Sequence, residues 1–366
     1  MARESAPGEA RVAMVPELVA KLVAAGYDVA VQPGAGAGAL IDDGDYRAAG
    51  ASITEEPFGT ATLAISVQPL ADAGRAALRS GATTISFYPA GALAADLEQR
   101  REQRLTTFGM EYVPRISRAQ SMDALSSQAL VAGYRGAIVA ASRLRQFFPL
   151  SMTAAGTVRP AQVVVLGAGV AGLQAIATCR RLGAVVKGYD VRTAAAEEIR
   201  SMGAIAIDLA LPSLEGAGGY AREMTEERAT KQQELLAPYV AAADALITTA
   251  AVPGRRAPLL VTKEMAAGMA PGSVVVDLAA ESGGNVAGAI PGEVVEIACA
   301  DRAGTVAVWG GANVPSQMPA PASRLYAQNV YNVIMLMTRG GAFAPDFADE
   351  VVSGMCLTRD GEVLGK

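Results

Sequence analysis

Short apolar runs along the chain are separated by longer segments in which apolar residues recur every three or four positions. The runs predict β-strands, and the segments between them predict helices. The strands predicted in the second half are Val163–Gly167, Ala184–Asp190, Ala204–Asp208, Asp244–Ala250, Ser273–Ala279 and Thr305–Trp309. The helices predicted between them are Leu173–Leu182, Ala194–Met202 and Lys263–Met269. Such alternation predicts a parallel sheet covered by helices on both faces.

The N-terminal part repeats this pattern less clearly. Its predicted elements are the helix Pro16–Ala25 and the strands Asp28–Gln32, Ala61–Val67 and Thr83–Tyr88. Two longer helical patterns, Ser126–Phe148 and Pro321–Met337, run between the two parts. Because 366 residues exceed one ordinary core, we predict an α/β fold with two Rossmann-like, doubly wound parallel-sheet domains joined by long helices. The first comprises residues 1–127 and 316–366, and the second residues 128–315.

Charge and histidine content narrow the chemistry. The net charge is −5, with acidic and basic residues mixed, so no nucleic-acid partner is predicted. The chain has no histidine, which many dehydrogenases use as a general acid and which zinc sites commonly use as a ligand. No metal site is predicted. Either Lys, Asp or Glu transfers protons, or the reaction needs no proton transfer at this protein's own site.

Cysteine usage and hydrophobicity indicate a cytosolic protein. The cysteines Cys179, Cys299 and Cys356 are far apart and form no CxxC pair, which is typical of a reduced protein. The charge-free run Pro160–Cys179 has the length of a membrane span. Its Val-rich start, three close glycines and amphipathic end predict a strand, a turn and a helix instead.

The sequence GAGVAG, Gly167 to Gly172, matches the GxGxxG pattern of dinucleotide-binding turns. The first glycine permits a tight turn, the second lets a pyrophosphate approach the backbone, and the third packs helix on strand. Asp190 ends the next predicted strand, where a carboxylate accepts hydrogen bonds from the adenosine ribose and repels a 2′-phosphate. We therefore predict NAD(H) rather than NADP(H), although Arg192 could contact a phosphate.

Two further segments stand out from the α/β pattern. Leu211–Met224 has three glycines and a single Tyr between a strand and a charged helix, and it is either a lid or a disordered excursion. Arg115–Gln128, RISRAQSMDALSSQ, holds two arginines, two glutamines, four serines and an aspartate in a largely apolar chain. Such a density of hydrogen-bonding groups favours a binding site over a solvated helix start.

These stretches resemble a known family. GAGVAGLQAIATCRRLGA, YDVR, GGYAREM and PGSVVVDLAAESGGN are similar to the NAD(H)-binding domain I, in the alpha subunit, of proton-translocating nicotinamide nucleotide transhydrogenases. RISRAQSMDALSSQ is the most specific match. The resemblance covers roughly Glu9 to Gly361. The alanine dehydrogenases share the fold and parts of the N-terminal pattern. The family's first strand is reduced here to Met1–Ala2, so an edge strand of the N-terminal sheet is expected to be missing.

The resemblance implies roles for the polar residues near the nicotinamide. It implies that Arg115, Asp123 and Ser126 hold the carboxamide and neighbouring ribose, and that Gln120 reaches toward an NADP nucleotide presented by another subunit. Further cofactor contacts are implied at Ile116, Ser117, Arg118, Gly167, Gly169, Val170, Gly172, Asp190, Val191, Arg192, Gly219, Tyr220 and Ala251. Gly219 and Tyr220 match a mobile loop that closes over the nucleotide.

The resemblance also implies the reaction and its partners. Hydride would pass directly between NADH and NADP⁺, which fits a chain without histidine. NADP(H) would be held by the beta subunit, and proton translocation would require a separate membrane subunit. The family forms homodimers and lies in the cytoplasm, peripheral on the inner face of the cell membrane.

Two alternatives remain open. An alanine-dehydrogenase-like enzyme needs a Lys and a His in its substrate site, but the matching places look like Ser66 and Tyr88, which cannot do that chemistry. A non-catalytic NAD-binding protein would keep the glycines and Asp190 without needing the polar residues at the nicotinamide end.

Overall fold

The computed structural model of the chain describes residues 1–88, 94–214, 225–251 and 254–364. The chain divides into two compact units, which we call the first unit (Met1–Gln128 with Pro315–Lys366) and the second unit (Ala129–Val314). The two domains of the sequence analysis, residues 1–127 with 316–366 and residues 128–315, stay a prediction.

The second unit is built on a seven-stranded sheet. Its strands in spatial order are Ile205–Ala206, Val185–Tyr189, Gln162–Leu166, Ala245–Thr248, Val274–Asp277, Thr305–Gly310 and Val294–Ala298. The first six are parallel, and Val294–Ala298 pairs antiparallel with Thr305–Gly310. Strand order reverses direction between Gln162–Leu166 and Ala245–Thr248, and ligands of open α/β sheets bind in the crevice outside the carboxyl ends at such a point.

Helices cover both faces of this sheet. They are Val170–Arg181, Ala195–Ser201, Glu226–Ala241 and Lys263–Ala267. Alternate residues of the central strand enter different cores: Val163 and Val165 pack in one buried cluster, and Val164 and Leu166 pack in the other. Since a strand turns successive side chains to opposite faces, both faces of the sheet are buried, and the predicted doubly wound class is confirmed.

The first unit has a mixed sheet of five strands. In spatial order they are Glu362–Val363, Cys356–Arg359, Thr106–Gly109, Thr83–Ser86 and Leu63–Ile65. The last three are parallel, and the two from the C-terminal tail are antiparallel. Each unit thus adds antiparallel strands at one edge of its sheet to the parallel strands that the sequence pattern predicts.

The predicted strand Asp28–Gln32 also lies differently from expectation. Only Ala30–Val31 is extended and paired, and it pairs with Ser52–Ile53 in a separate two-stranded sheet. Met1–Ala2 lie between the two sheets: Gln32 N donates to Met1 O, and Ala2 N donates to Ile65 O, both at 3.2 Å.

The helices of the first unit surround a core that includes Met14, Phe108 and Tyr326. They are Pro16–Ala24, Asp43–Ala48, Asp72–Ala76, Ala94–Glu102, Pro319–Leu336 and Glu350–Met355, and Ala124–Arg143 begins here and continues into the second unit.

Short 3₁₀ segments occur in both units. They are Ala37–Ala39, Met110–Tyr112, Ser117–Met122, Ala280–Ser282 and Val314–Gln317. Two hairpins, Ser151–Thr153 with Gly156–Val158 and Thr338–Arg339 with Ala342–Phe343, complete the elements.

The charge-free run Pro160–Cys179 forms a strand, a turn and the start of a helix, as its pattern predicts. Among the helices that the structure describes, none has both the length and the apolar character that a bilayer crossing requires.

Candidate functional site

One candidate site is the glycine turn, residues 167–172, which leaves the central strand of the second unit. Gly167 has φ +100°, a conformation that side chains rarely adopt, and a Cβ there would lie 2.5 Å from Thr249 Oγ1. A Cβ at Gly172 would lie 1.8 Å from Gly167 O, so only glycine lets the helix pack against the turn. A Cβ at Gly169 would meet nothing within 4 Å. The middle glycine is thus the one that faces open space.

The helix Val170–Arg181 begins directly after Gly169. The first N–H groups of a helix have no partner within the helix, and glycine has no side-chain oxygen to cap them. The basic residues Arg180 and Arg181 lie in the last turn, at the other end. Free N–H groups and the positive end of the helix dipole make this start suitable for a phosphate. Val170, the first helical residue, is 40% exposed.

Asp190 lies after the neighbouring strand and binds the glycine turn directly. Its carboxylate accepts from Ala168 N at 2.8 Å and from Arg192 Nε at 2.9 Å. Arg192 Nη2 donates in turn to Ala168 O at 3.2 Å. Asp190 therefore joins the glycine turn to Arg192, which is held beside it. Val191 is half-buried and packs against the core of the second unit.

A buried carboxylate and amide that the sequence analysis missed hold the chain beside the glycine turn. Asp277 ends its strand and accepts from Thr248 Oγ1, Ala279 N, Asn285 N and Val286 N at 2.8–3.0 Å. Burial raises the pKa of Asp277 above its ordinary value, although each of these hydrogen bonds acts the other way. The Asp277 carboxylate thereby joins the end of the strand Ala245–Thr248 to the loop that follows its own strand, Val274–Asp277.

Asn285 completes this arrangement. Its Oδ1 accepts from Ala250 N at 2.9 Å, and its Nδ2 donates to Ala250 O and Pro258 O, both at 2.8 Å. The side chain thus fixes the backbone immediately before Ala251, an exposed residue of the predicted cofactor wall. The sequence ESGGN contains Asn285, but nothing local in it indicates which backbone the amide binds.

A second candidate site is the polar segment, Arg115–Gln128, in the first unit. It forms the 3₁₀ turn Ser117–Met122 followed by the helix Ala124–Arg143. Asp123 stands before that helix and accepts from Ser126 N at 2.9 Å and from Ser126 Oγ at 2.6 Å. These bonds are those of a helix N-cap. A helix start therefore accounts for the mutual contact of Asp123 and Ser126, but not for the other polar residues.

The polar segment borders a hollow of about 390 Å³, a volume within the range of small-molecule sites. Its lining residues are Pro114, Arg115, Ile116, Ser117, Ala119, Gln120, Asp123 and Ser126. Ala119 is buried and anchors the turn, whereas Arg115, Ser117 and Gln120 are exposed. Within the described residues, no hydrogen bond holds the side chain of Gln120. The structure thus brings together six of the seven residues that the resemblance named in this segment.

Arg118 is the exception. Its guanidinium binds Asp349 at 3.0 Å and Glu350 at 3.2 Å, at the start of the helix Glu350–Met355, and it does not line the hollow. The predicted contact of Arg118 with the cofactor stays a prediction. Alternate residues of a tight 3₁₀ turn point in different directions, which sequence spacing alone did not reveal. Gly219 and Tyr220, with most of the predicted lid, lie outside the described residues.

Comparison with known proteins identifies the family. Models of the N-terminal and C-terminal domains of the alanine dehydrogenase/PNT family match residues 1–132 and 136–366. An NAD(P) transhydrogenase subunit alpha protein of Rhodospirillum rubrum is 44% identical, over 99% of this chain and 96% of its own length. This chain belongs to the alanine dehydrogenase/PNT family.

Two solved structures show where this chain lies within the alanine dehydrogenase/PNT family. A transhydrogenase structure from Sinorhizobium meliloti has a TM-score of 0.88 and 44% identity, covering 99% of this chain and 98% of that chain. An L-alanine dehydrogenase structure has a TM-score of 0.80 at 23% identity, covering 99% and 95%, and shows the shared fold. The resemblance to transhydrogenases is confirmed, and the alanine dehydrogenases are more distant relatives.

The two positions compared with the amino-acid substrate site of the family's alanine dehydrogenases are buried. Ser66 is 3% exposed and its carbonyl accepts from Tyr326 Oη at 2.9 Å. Tyr88 is fully buried, with the Arg100 guanidinium 5.0 Å from its ring centre, and burial raises the pKa of its hydroxyl to about 12. Neither side chain supplies the cation of a lysine or the imidazole of a histidine, so the alanine dehydrogenase alternative has no catalytic pair at these positions.

Proposed function

We propose that this chain is the NAD(H)-binding component of a proton-translocating transhydrogenase. Hydride passes directly between NADH and NADP⁺ held by a partner subunit, and separate membrane subunits couple this transfer to proton movement. One observation carries the proposal: in a chain with no histidine, the polar segment folds around a hollow lined by Arg115, Gln120, Asp123 and Ser126. Amide, hydroxyl and guanidinium groups can orient a nicotinamide by hydrogen bonds. None of them is the histidine that many dehydrogenases use as a general acid.

The glycine turn serves the pyrophosphate in this proposal. The open space beside Gly169 admits a phosphate close to the backbone, and the free N–H groups at the helix start bind it. Asp190 accepts hydrogen bonds from the adenosine ribose hydroxyls, and its charge disfavours a 2′-phosphate. Arg192 stays paired with Asp190 and keeps the carboxylate oriented. Val170, Val191 and Ala251 form the apolar wall beside the nucleotide.

The polar segment serves the nicotinamide end. Arg115, Asp123 and Ser126 orient the carboxamide and its ribose, and Ile116 and Ser117 supply the wall of the hollow. Gln120 reaches to the second nucleotide, because an amide can donate to one group and accept from another. Arg118 is not assigned a cofactor contact. The lid role of Gly219 and Tyr220 stays a prediction.

The assembly follows from the same proposal. The partners are an NADP-binding beta subunit and a membrane subunit, and the chain is peripheral on the cytoplasmic face of the membrane. A homodimer is supported by exposed apolar residues around the hairpin Ser151–Thr153 with Gly156–Val158. Met152 is 76% exposed, and Phe147 and Leu150 are more than half exposed. Clustered apolar residues of this kind mark association surfaces.

Reconstitution tests the proposal. The chain is mixed with the NADP-binding component of a transhydrogenase, and reduction of an NADP analogue by NADH is followed optically. Transfer that requires both components is expected. The proposal fails if saturating amounts of both components give no transfer while the chain still binds NADH, which would leave a non-catalytic NAD-binding protein. Activity with alanine, NAD and ammonia would instead support an amino-acid dehydrogenase.

A further inference from the structure

The 3₁₀ turn Ser117–Met122, which carries Gln120, is long for its type. Runs of more than three or four residues are uncommon because 3₁₀ hydrogen bonds have poor geometry. Inside and around this turn, Ala119 N donates to Ile116 O at 3.0 Å, and Asp123 N donates to Gln120 O at 3.3 Å. Contacts from outside the turn add to these bonds.

Two asparagines of one helix supply such contacts. Asn329 Nδ2 and Asn332 Nδ2 both donate to Ser121 O, each at 2.9 Å. Both residues belong to Pro319–Leu336 and are three positions apart, so they are neighbours on one side of that helix. A carbonyl oxygen has two lone pairs, and this amide clamp, Asn329 and Asn332 on Ser121 O, uses both.

Each asparagine of the amide clamp is itself held in place. Asn329 is buried, and its Oδ1 accepts from Ser127 Oγ at 2.7 Å. Asn332 is half-buried, and its Oδ1 accepts from Gln328 Nε2 at 2.9 Å. These bonds fix which side of each amide donates to Ser121. The clamp is therefore preorganised by the helix rather than formed by two mobile side chains.

We propose that Asn329 and Asn332 are positioning residues for hydride transfer. They fix the Ser121 carbonyl and with it the backbone of Gln120, the preceding residue. Neither asparagine lines the hollow, so they act only through the turn. This inference rests on the proposed function, in which Gln120 sets the geometry of the second nucleotide. A second tie, from Arg118 to Asp349 and Glu350, is more exposed and holds the turn less firmly.

The test uses three clamp variants, Asn329→Ala, Asn332→Ala and Asn332→Asp. The last keeps the size of the side chain but removes its donor. Gln328→Ala removes the bond to Asn332 Oδ1 but leaves both donors to Ser121, so it tests the orientation of the clamp and should have a smaller effect than Asn332→Ala. Val330→Ala is the stability control, since Val330 is fully buried in the same helix and has no bond to the turn. Hydrogen exchange of the peptide 115–123 is measured in the free chain. NADH affinity and the single-turnover transfer rate to the partner component are measured beside it.

Each clamp variant is expected to speed exchange of that peptide at least several-fold and to slow transfer about tenfold, because small misplacements reduce transfer steeply. NADH affinity should change by less than about threefold, and the control Val330→Ala should match the wild type in exchange and rate. Unchanged exchange in all three clamp variants overturns the clamp, and faster exchange with an unchanged rate overturns the positioning role. If the wild type transfers no hydride, the proposed function fails with the positioning role, while the exchange result still decides whether the clamp holds the turn.

Discussion

The glycine turn and the polar segment differ in what fixes their shape. The glycine turn is set by its own backbone, because side-chain atoms at Gly167 or Gly172 would overlap neighbouring chain atoms. The polar segment is held by side chains that are distant in sequence. Its Ser121 carbonyl accepts hydrogen bonds from Asn329 and Asn332, which lie 208 and 211 residues further along the chain.

This difference predicts different consequences of substitution. In a site made of backbone, the atoms that bind the ligand are also those that hold the fold, so stability and binding fall together at most positions. In a site made of side chains, a polar residue can be shortened without disturbing the core. Gly169 is the informative exception in the glycine turn, because its missing side chain leaves open space rather than packing space.

The largest effect is expected from Gly172→Ala. The new methyl group would lie 1.8 Å from Gly167 O, so the turn must open, with a loss of stability of about 3 kcal/mol and loss of NADH binding.

Gly169→Ala should instead leave the melting temperature unchanged and weaken NADH binding about a hundredfold, because the methyl group occupies the approach to the backbone. Calorimetric titration and thermal melting measure both, with Gly59→Ala, where a Cβ also meets nothing within 4 Å, as control. Equal melting temperatures for the two turn variants would contradict the packing role of Gly172.

The polar segment should show the opposite behaviour at Gln120. Gln120→Asn keeps the amide but shortens its reach by one methylene, and a misplacement of about 1 Å can cost roughly a hundredfold in rate. Transfer should slow to that extent, with NADH affinity within a few-fold of the wild type. Arg115→Ala should weaken NADH binding as well. Stopped-flow transfer and equilibrium titration separate the two, and an equal loss of rate and affinity in Gln120→Asn would make it an ordinary NADH contact.

A smaller effect is expected at Asp190. Asp190→Ser removes the ribose acceptor and the partner of Arg192, so NADH affinity should fall about tenfold, as for one charged hydrogen bond. NADPH affinity should rise toward it, because Arg192 is released and no carboxylate repels the 2′-phosphate. Dissociation constants of both nucleotides measure the change. Equal affinities already in the wild type would show that Asp190 does not select the cofactor.

The smallest effect on the two sites is expected from pH. Glu111, four residues before Arg115, is half-buried, and its carboxylate accepts from Tyr88 N at 2.5 Å. Desolvation of this carboxyl raises its pKa to about 7. Because the folded chain keeps this proton while the unfolded chain loses it, stability should fall as pH rises from about 4.5 to 7, by roughly 2–3 kcal/mol. Glu111→Gln should flatten this part of the curve in denaturant unfolding and leave NADH affinity unchanged. An identical slope in the variant would assign the dependence to other groups.

The elements that the sequence predicted well are those with local causes. Alternating apolar patterns located the central strands and helices of the second unit, and glycine stereochemistry located the turn and Asp190. The strand Val294–Ala298 was missed because it is an edge strand in which only Ile297 is buried, so its hydrophobic pattern is weak. The tail strand Cys356–Arg359 was missed because its pairing with Thr106–Gly109, more than two hundred residues away, leaves no local signal. Glu362–Val363, which pairs with it in a hairpin, has only two residues and so no readable hydrophobic pattern.

The same distinction applies to the candidate site. The composition of the polar segment indicated binding, and its resemblance to a family supplied individual roles, but neither gave the direction of Arg118. Asn285 and Asp277 were overlooked because their function depends on which backbone they meet after folding. Hydrogen bonds between residues far apart in sequence are products of the tertiary structure, and one sequence alone does not specify them.

Direct transfer between the two nicotinamides is tested most directly with an isotopic label. NADH carrying deuterium at the transferred position of C4 is mixed with this chain, the NADP-binding component and an NADP analogue in ordinary water. The reduced analogue should retain all of the deuterium, because a hydride that passes from C4 of one ring to C4 of the other never becomes a proton that can exchange with water. Loss of the label to water, or incorporation of solvent deuterium in the converse experiment, would contradict direct transfer.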